Sequence, residues 1–307
     1  MYTNSINKIP CPHEALSWAA SSIQSEIISC TPLKGSTSST LYELVSASGQ
    51  KFVLRLFTLT SWLETEPDLA RHEAAVLERV QQENFKSPHL IAFDEFGTNT
   101  IYPAVLMTKL EGQVELKPSN FDQWLKLQAH TLHQIHQTPI DNFSWQYKHW
   151  FDLNELSVPS WTKQPTVFRE MIDILKSPPP EVPLVFLHRD YHPTNILWDE
   201  SRLSGIVDWV NGCIGPAMID VGHCRLNLAS LFGIQAAEAF LENWKSVAPS
   251  RHYSPWWDIC AFANGGVFSN KLGIYSGWAD FGKNDISIEN LADRLDQLAV
   301  AMARAFI

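Results

Sequence analysis

The stretch that decides the fold lies at positions 185–199 and reads VFLHRDYHPTNILWD. An apolar run ends there in a group of polar residues and then resumes. The polar group consists of His188, Arg189, Asp190, His192 and Asn195. Polar side chains crowded between two apolar segments are typical of a loop held by buried strands, and such loops often carry chemistry. We therefore expect a functional loop at this point of the chain.

A further carboxylate, Asp208, ends the next strand-like segment, GIVDW. Because a loop followed by a hairpin can bring distant positions together, we expect Asp208 to lie beside Asp190 and Asn195. Two carboxylates and an amide oxygen are hard ligands that suit Mg²⁺ and its preference for phosphate. A carboxylate that stays free of the metal could accept a proton from a hydroxyl group.

The composition is that of an ordinary globular protein, with 307 residues, 45% hydrophobic and 18% charged. This length suffices for two domains or one large two-lobed one. The net charge of −10 argues against a nucleic-acid partner, because phosphate binding needs a basic surface. It is compatible with a cationic small molecule.

The number and spacing of the cysteines and the N-terminal sequence indicate in which cellular compartment the protein is expected. The five cysteines are odd in number and show no C-x-x-C spacing, which fits reduced thiols better than disulfides or a zinc site. No signal peptide is recognisable, and no apolar run approaches the roughly 18 residues of a membrane span. We expect a cytoplasmic protein with no membrane partner, and the sequence makes no prediction of its oligomeric state.

The first third of the chain reads as strands with one helix. The runs STLYELVSAS and KFVLRLF predict a hairpin that turns at Gly49. The segment TEPDLARHEAAVLERVQ predicts a helix capped by Thr65, with Pro67 in its first turn and the apolar residues Leu69 and Val76 on one face. Two more strands follow, HLIAFDEFG and YPAVLMTKL.

Helical periodicity dominates after Gly112. The predicted helices are residues 120–137, 166–176, 216–233, 234–247, 254–274 and 287–306. These patterns predict an α+β fold of two lobes: a small antiparallel-sheet lobe at residues 1–110 and a larger, mainly helical lobe at residues 111–307.

The motif HRDYHPTN, followed by IVDW, resembles the H-x-D-x-x-x-x-N loop and the metal-binding Asp of the protein-kinase-like fold. It looks most like the aminoglycoside phosphotransferase and choline kinase branch. The resemblance implies that Asp190 is the catalytic base or hydroxyl-orienting group and that Asn195 and Asp208 hold Mg²⁺. It also implies that His188 supports the loop from behind and that Asp220 braces it.

The resemblance extends to the small lobe. It implies a phosphate-covering loop at residues 35–40, a cation on the third strand, a helix carboxylate paired with that cation, and a hinge against which the adenine of ATP, or the base of GTP, lies. The nucleotide-binding residues implied in this way are Gly35, Ser36, Ser38, Arg55, Glu73, Met107 and Lys109. Arg55 stands where the family usually has Lys, and the loop is rich in hydroxyls instead of glycines.

The expected function is transfer of a γ-phosphoryl group to a hydroxyl of a small molecule, such as an aminoglycoside-like antibiotic. One alternative is a metabolic kinase for choline, a homoserine-like amino acid or a thiosugar. Another is a nucleotide-binding protein without transferase activity. A third is a metallohydrolase with zinc on His188, Asp190 and His192. Trp256, Trp257 and Trp278 are either core residues or part of an acceptor pocket.

Overall fold

The structure is a computed structural model of the chain and describes residues 9–34, 38–251 and 253–306. Gly35 and Ser36, two of the predicted phosphate-loop residues, lie outside the described residues. The helices and strands of the first 110 residues are α1 (His13–Ile23), β1 (Ile27–Pro32), β2 (Thr40–Ser46), β3 (Lys51–Leu56), α2 (Thr60–Thr65), α3 (Leu69–Val80), β4 (Leu90–Asp94) and β5 (Ala104–Thr108).

The larger lobe is mainly helical and contains short strands beside the predicted functional loop. Its elements are β6 (Gln113–Val114), α4 (Phe121–Ile135), α5 (Pro165–Leu175), β7 (Leu184–Leu187), β8 (Ile196–Asp199), β9 (Arg202–Ile206), β10 (Cys213–Pro216), α6 (Met218–Phe232), α7 (Ile234–Val247), α8 (Pro255–Asn264), α9 (Gly277–Asp280) and α10 (Ile288–Arg304).

The small-lobe sheet is antiparallel, with the strand order β1-β2-β3-β5-β4. Side chains alternate between its faces, as the twofold period of a strand requires. Leu54 and Leu106 pack on one face with Ala15 of α1. Val105 and Met107 belong to the opposite face, which shares a core with α3. Arg55 pairs with Val105 in the sheet and therefore lies on the α3 face.

The helix predicted at residues 65–81 is α3 in the structure, and it begins four residues later than predicted. Thr65 does not cap α3, because it is the last residue of α2 and its Oγ1 donates a hydrogen bond to the carbonyl of Trp62 at 2.9 Å. Pro67 keeps the preceding residue out of helical geometry, so α3 begins only at Leu69. The apolar face predicted for this helix is buried as expected.

Two other boundaries differ from the sequence patterns. The predicted helix at residues 254–274 ends at Asn264, because Gly265 and Gly266 follow and Gly266 has a left-handed φ of 71°. Helix α1 was not expected. Its apolar positions form only a narrow stripe, and its buried residues are the small Ala15 and Ala19.

The main hydrophobic core does not stop at the predicted lobe boundary. It contains Val76 of α3 and Val105 of β5 together with Leu132 of α4 and Ile206 of β9. A lobe boundary near residue 110 remains a proposal, and the lobes that it separates share one core. Within the described ranges, no helix combines the length and the apolar composition needed to cross a bilayer.

Candidate active site

The predicted functional loop leaves β7 and enters the β8–β9 hairpin. Glu200 and Ser201 form the hairpin turn, with φ values of 45° and 68°, which match the left-handed pair of a type I′ turn. At the open end of the hairpin, the backbone N–H of Val207 donates to the carbonyl of Asn195 at 3.0 Å. Asn195 and Asp208 therefore lie at the two ends of one hairpin, as the sequence predicted.

The Asp190 carboxylate is held on both of its oxygens. Oδ2 accepts a hydrogen bond from Nδ2 of Asn195 at 3.1 Å, and Oδ1 lies 2.9 Å from Nε2 of His223. Nε2 of His192 is 3.6 Å from the same Oδ1. Burial opposes the charged carboxylate, but His192 and His223 outweigh it, so the pKa of Asp190 is well below its ordinary value. Asp190 is therefore an anion that can accept a hydrogen bond from a hydroxyl.

His188 lies behind the loop, fully buried. Its Nε2 donates to the carbonyl of Val207 at 3.0 Å, its Nδ1 accepts from the backbone N–H of Asp190 at 3.3 Å, and its ring contacts Trp209. Both ring nitrogens are thus used within the fold. The zinc cluster considered for His188 with Asp190 and His192 is not formed, because His188 faces away from it.

Asp220, in the first turn of α6, accepts hydrogen bonds from the backbone of the loop. Its oxygens accept the backbone N–H of His188 at 2.9 Å and of Arg189 at 2.7 Å. Nε2 of His136, the residue that directly follows α4, lies 3.2 Å from one of these oxygens. Burial lowers the pKa of His136, so a neutral imidazole donates to the buried carboxylate. These contacts are those of a brace on the loop backbone.

Two residues beside the site have left-handed backbones: Arg189, with φ of 72°, and Asp208, with φ of 67°. Asp tolerates this conformation, whereas for Arg it costs roughly 1–2 kcal/mol. The Arg189 side chain is fixed by packing over the rings of Tyr147 and Trp150. The strained backbone at Arg189 is stabilised in two ways: Asp220 accepts its N–H, and its side chain packs on the two rings. Asp190 directly follows this residue.

Arg55 reaches from the small-lobe sheet to two carboxylates. Its Nε is 3.0 Å from Oε2 of Glu73 on α3, which is the ion pair that the sequence predicted. Its Nη2 donates to Oδ1 of Asp208 at 2.8 Å, and its Nη1 donates to Oγ of Ser39 at 2.9 Å. The contact with Glu73 is a close ion pair without a well-aligned hydrogen bond. Arg55 thus joins β3, α3 and the end of the β8–β9 hairpin.

Burial and charge act against each other in this cluster. Burial raises the pKa of Glu73 to about 7, with Asp208 acting in the same direction and Arg55 opposing. Burial would lower the pKa of Arg55, but Glu73 and Asp208 raise it above its ordinary value. Arg55 is therefore a buried permanent cation beside Asp208, the kind of group that can bind phosphate oxygens.

The donor set at the hairpin ends fits Mg²⁺. The amide nitrogen of Asn195 is used on Asp190, which leaves its amide oxygen as the ligand atom. Asp208 adds a carboxylate whose side chain is 36% exposed and therefore accessible. Mg²⁺ prefers such oxygen ligands, together with the phosphates that it binds.

The other predicted nucleotide residues lie along the same side of the small lobe. Met107 pairs with Val53 in the sheet, two positions along β5 from the partner of Arg55. The Lys109 ammonium does not join the Arg55 cluster, because it pairs with Glu43 of β2. Ser38 directly precedes Ser39, the residue that Arg55 contacts.

Sequence reasoning missed three contributors to the site: Ser39, His136 and His223. A signal existed for His223, because it follows Asp220 by three residues on a predicted helix, and such residues share a face. No comparable signal existed for His136, whose partner is distant in sequence. Trp256 and Trp257 are core residues, with their indole N–H groups donated to the carbonyls of Ile174 and Pro180.

Comparison with known proteins adds a family and a fold. The profile of a phosphotransferase enzyme family, APH, matches residues 29–255. A sequence comparison with curated proteins gives no match. Among solved structures, a protein proposed to be an aminoglycoside phosphotransferase from Ralstonia eutropha superposes with a TM-score of 0.63 at 15% identity, over 94% of this chain and 98% of the other.

Two further structures are similar. A thermostable mutant of the aminoglycoside phosphotransferase APH(4)-Ia, in complex with ADP and hygromycin B, gives a TM-score of 0.60 at 14% identity, over 95% of this chain and 98% of the other. Macrolide 2′-phosphotransferase MphH from Brachybacterium faecium gives 0.59 at 13% identity, over 92% and 97%. At these identities the likeness shows the fold alone, which is the kinase-like fold predicted from the sequence.

The fold and the family profile together define a kinase-like phosphotransferase. The matched residues cover well over half of the chain, so the protein belongs to the phosphotransferase enzyme family. As a member of this family it is a kinase-like phosphotransferase that acts on a hydroxyl acceptor.

Proposed function

We propose that the protein transfers the γ-phosphoryl group of ATP or GTP to a hydroxyl of an aminoglycoside-like compound in the cytoplasm. The observation that carries the proposal is the meeting of a buried cation and an ionised carboxylate at one cleft. Arg55 on the sheet contacts Asp208, and Asn195, at the other end of the same hairpin, contacts Asp190. A phosphate-binding cation and a hydroxyl-binding anion are the two parts that phosphoryl transfer needs.

Each residue then has a role that follows from its chemistry. Asn195 and Asp208 would hold Mg²⁺, which neutralises charge on the phosphates when bound. Arg55 binds phosphate oxygens and is oriented by Glu73. Asp190 accepts the hydrogen bond of the acceptor hydroxyl and aims its oxygen at the γ-phosphorus. The new P–O bond forms as the bond to the β-phosphate oxygen breaks, and the hydroxyl proton passes to Asp190.

The acceptor class is the finer part of the proposal. The net charge of −10 favours a cationic acceptor, and the aminoglycoside phosphotransferase with hygromycin B shares the fold. An amino compound with several hydroxyls satisfies both points.

The test is a nucleotide-consumption screen of purified protein. ATP and GTP are each offered with a panel of aminoglycosides, amino alcohols and sugars. We expect consumption that depends on an amino-sugar acceptor, with a phosphorylated product detected by mass spectrometry. The matched control is Asp190→Ala, which should lower kcat by about 10²–10⁴-fold while nucleotide binding is kept. A screen in which choline or an amino acid is the best acceptor would replace the proposed acceptor class.

A further inference from the structure

Helix α6 holds the loop at two points from a single face. Asp220 grips the backbone N–H groups of His188 and Arg189, directly before Asp190. One turn further along, His223 places its Nε2 at 2.9 Å from Oδ1 of Asp190 itself. The helix therefore fixes both the backbone that leads to Asp190 and the carboxylate at the end of its side chain.

The two oxygens of Asp190 are held by different elements. Asn195, on the same loop, donates to Oδ2. At Oδ1, the 2.9 Å contact of His223 on α6 is shorter than the 3.6 Å separation from His192 of the loop. The terminal torsion of an Asp side chain is broad in energy, so one contact alone leaves the carboxylate free to turn. Contacts on both oxygens hold it in one orientation, which a group that aims a hydroxyl requires.

The state of the His223 ring fits this contact. Its Nδ1 is buried without a hydrogen-bond partner among the described residues. An ionised carboxylate only accepts hydrogen bonds, so the ring nitrogen that faces Asp190 must carry a proton. The Nε2–H of His223 therefore points to Oδ1 of Asp190. The side chain is 13% exposed, so it lies at the edge of the cleft.

We propose that His223 is a positioning residue for phosphoryl transfer, which keeps the Asp190 carboxylate aimed at the acceptor hydroxyl by donating from Nε2 to Oδ1. This inference rests on the proposed function. His223 acts through Asp190 and does not itself touch the phosphoryl group. Its contribution should therefore vanish when Asp190 is absent.

The first experiment needs no acceptor. Imidazole ¹⁵N NMR of the full-length protein reports which ring nitrogen carries the proton. We expect the Nε2–H form for His223 and loss of that preference in Asp190→Ala. If the His223 resonances are the same in both proteins, the contact does not exist and the inference is wrong, whatever the protein's activity.

The second experiment measures kinetics with the acceptor found in the screen. His223→Leu removes the donor, and His223→Gln keeps an N–H at about the position of Nε2. Loss of a hydrogen bond to a charged group predicts a fall in kcat of roughly 10-fold or more for His223→Leu, with the nucleotide KM unchanged. His223→Gln should keep most of kcat, which a purely structural role for the ring would not explain.

The third arm combines the changes. In the Asp190→Ala background, His223→Leu should cost nothing further in single-turnover rate, because residues that act as a unit are not additive. The positioning role would be wrong if His223→Leu lowered the rate as much in the Asp190→Ala background as it does alone. It would also be wrong if His223→Leu and His223→Gln lowered kcat equally. Either result would leave the proposed function in place. Absence of transfer to every acceptor would instead remove the proposed function, and the NMR experiment alone would then decide whether the contact exists.

Discussion

Arg55 and Asp208 form an ion pair, with Nη2 and Oδ1 2.8 Å apart, between the third strand of the small-lobe sheet and the end of the β8–β9 hairpin. The same guanidinium lies 3.0 Å from Glu73 on α3. The cation that we propose for phosphate binding is thus in contact with a proposed metal ligand. Phosphates bound there would share the charge of Arg55 with Asp208 and Glu73.

The Arg55–Glu73 pair predicts coupled kinetics. Arg55→Ala and Glu73→Gln should each raise the nucleotide KM and lower kcat, because Glu73 acts only by orienting Arg55. The double variant should be little worse than Arg55→Ala, with a coupling of about 0.5–3 kcal/mol in the cycle. Arg55→Lys keeps the charge but loses the bidentate hydrogen bonding of the guanidinium, so partial activity is expected. Steady-state kinetics of the four variants measure this, and additive effects would contradict the pairing.

Asp208→Asn should weaken the use of Mg²⁺, because a formal charge on the metal is lost. We expect the Mg²⁺ concentration at half-maximal activity to rise by at least about tenfold. Substitution of residues that only hydrogen-bond to metal ligands already lowers metal affinity by about that factor. The control is Asp199→Asn on the same hairpin, an exposed carboxylate that pairs with Arg202. An unchanged midpoint in Asp208→Asn would place the metal elsewhere.

Zinc should not be needed for activity. Within the described ranges, the one cluster of three His, Cys, Asp or Glu side chains that could hold a metal ion is Asp190, His192 and His223. Because we assign Asp190 to the acceptor hydroxyl and His223 to the positioning of Asp190, protein dialysed against a chelator should regain full activity with Mg²⁺ alone. Elemental analysis of the purified protein should find close to no zinc. Stoichiometric zinc that disappears in His223→Gln would contradict the kinase interpretation of the loop.

Stability should fall as the pH falls from 7.5 to 5.5. Burial lowers the pKa of His72, His136 and His188, so below about pH 6.5 the unfolded chain takes up protons that the folded protein does not. Each of these histidines lowers the unfolding free energy by up to about 1.4 kcal/mol per pH unit. Glu73, with its raised pKa, acts in the opposite direction and offsets one of them.

Urea unfolding at pH 7.5, 6.5 and 5.5 measures the slope. His72→Gln should reduce the slope of the unfolding free energy against pH by the contribution of one titrating group. The control is His130→Gln, at an exposed position of α4, which should leave the slope unchanged. A flat profile would mean that the buried imidazoles are protonated in the folded state.

The sequence predicted the fold class and, through local patterns and the family resemblance, which residues of the candidate site lie together; the roles of those residues stay predictions. Asp190, Asn195 and Asp208 are separated by short segments whose strand pattern fixes how they meet. Glu73 and Arg55 were predictable since a charge within an apolar strand needs a partner. In each case a charged or polar side chain in an apolar segment restricted the positions that the residue could occupy.

What the sequence did not reveal depends on contacts between distant segments or on small differences in free energy. His136 meets Asp220 from a helix far away in the chain, and no local pattern marks that meeting. The start of α3 after Pro67 and the end of α8 before Gly265 depend on a few backbone angles, whereas apolar periodicity reports only which face is buried. Lys109 pairs with Glu43 because of the strand register, which a motif does not contain.

The core shared across the lobe boundary has a consequence for cooperativity. Helix α3, which carries Glu73, packs in the same core as Leu132 and Ile206, whereas α1 covers the other sheet face with a small core of its own. Elements with few buried contacts open locally, and elements in the main core open only with the whole molecule. Helix α1, whose buried residues are only Ala15 and Ala19, is therefore expected to open at a lower free energy than α3, which carries Glu73.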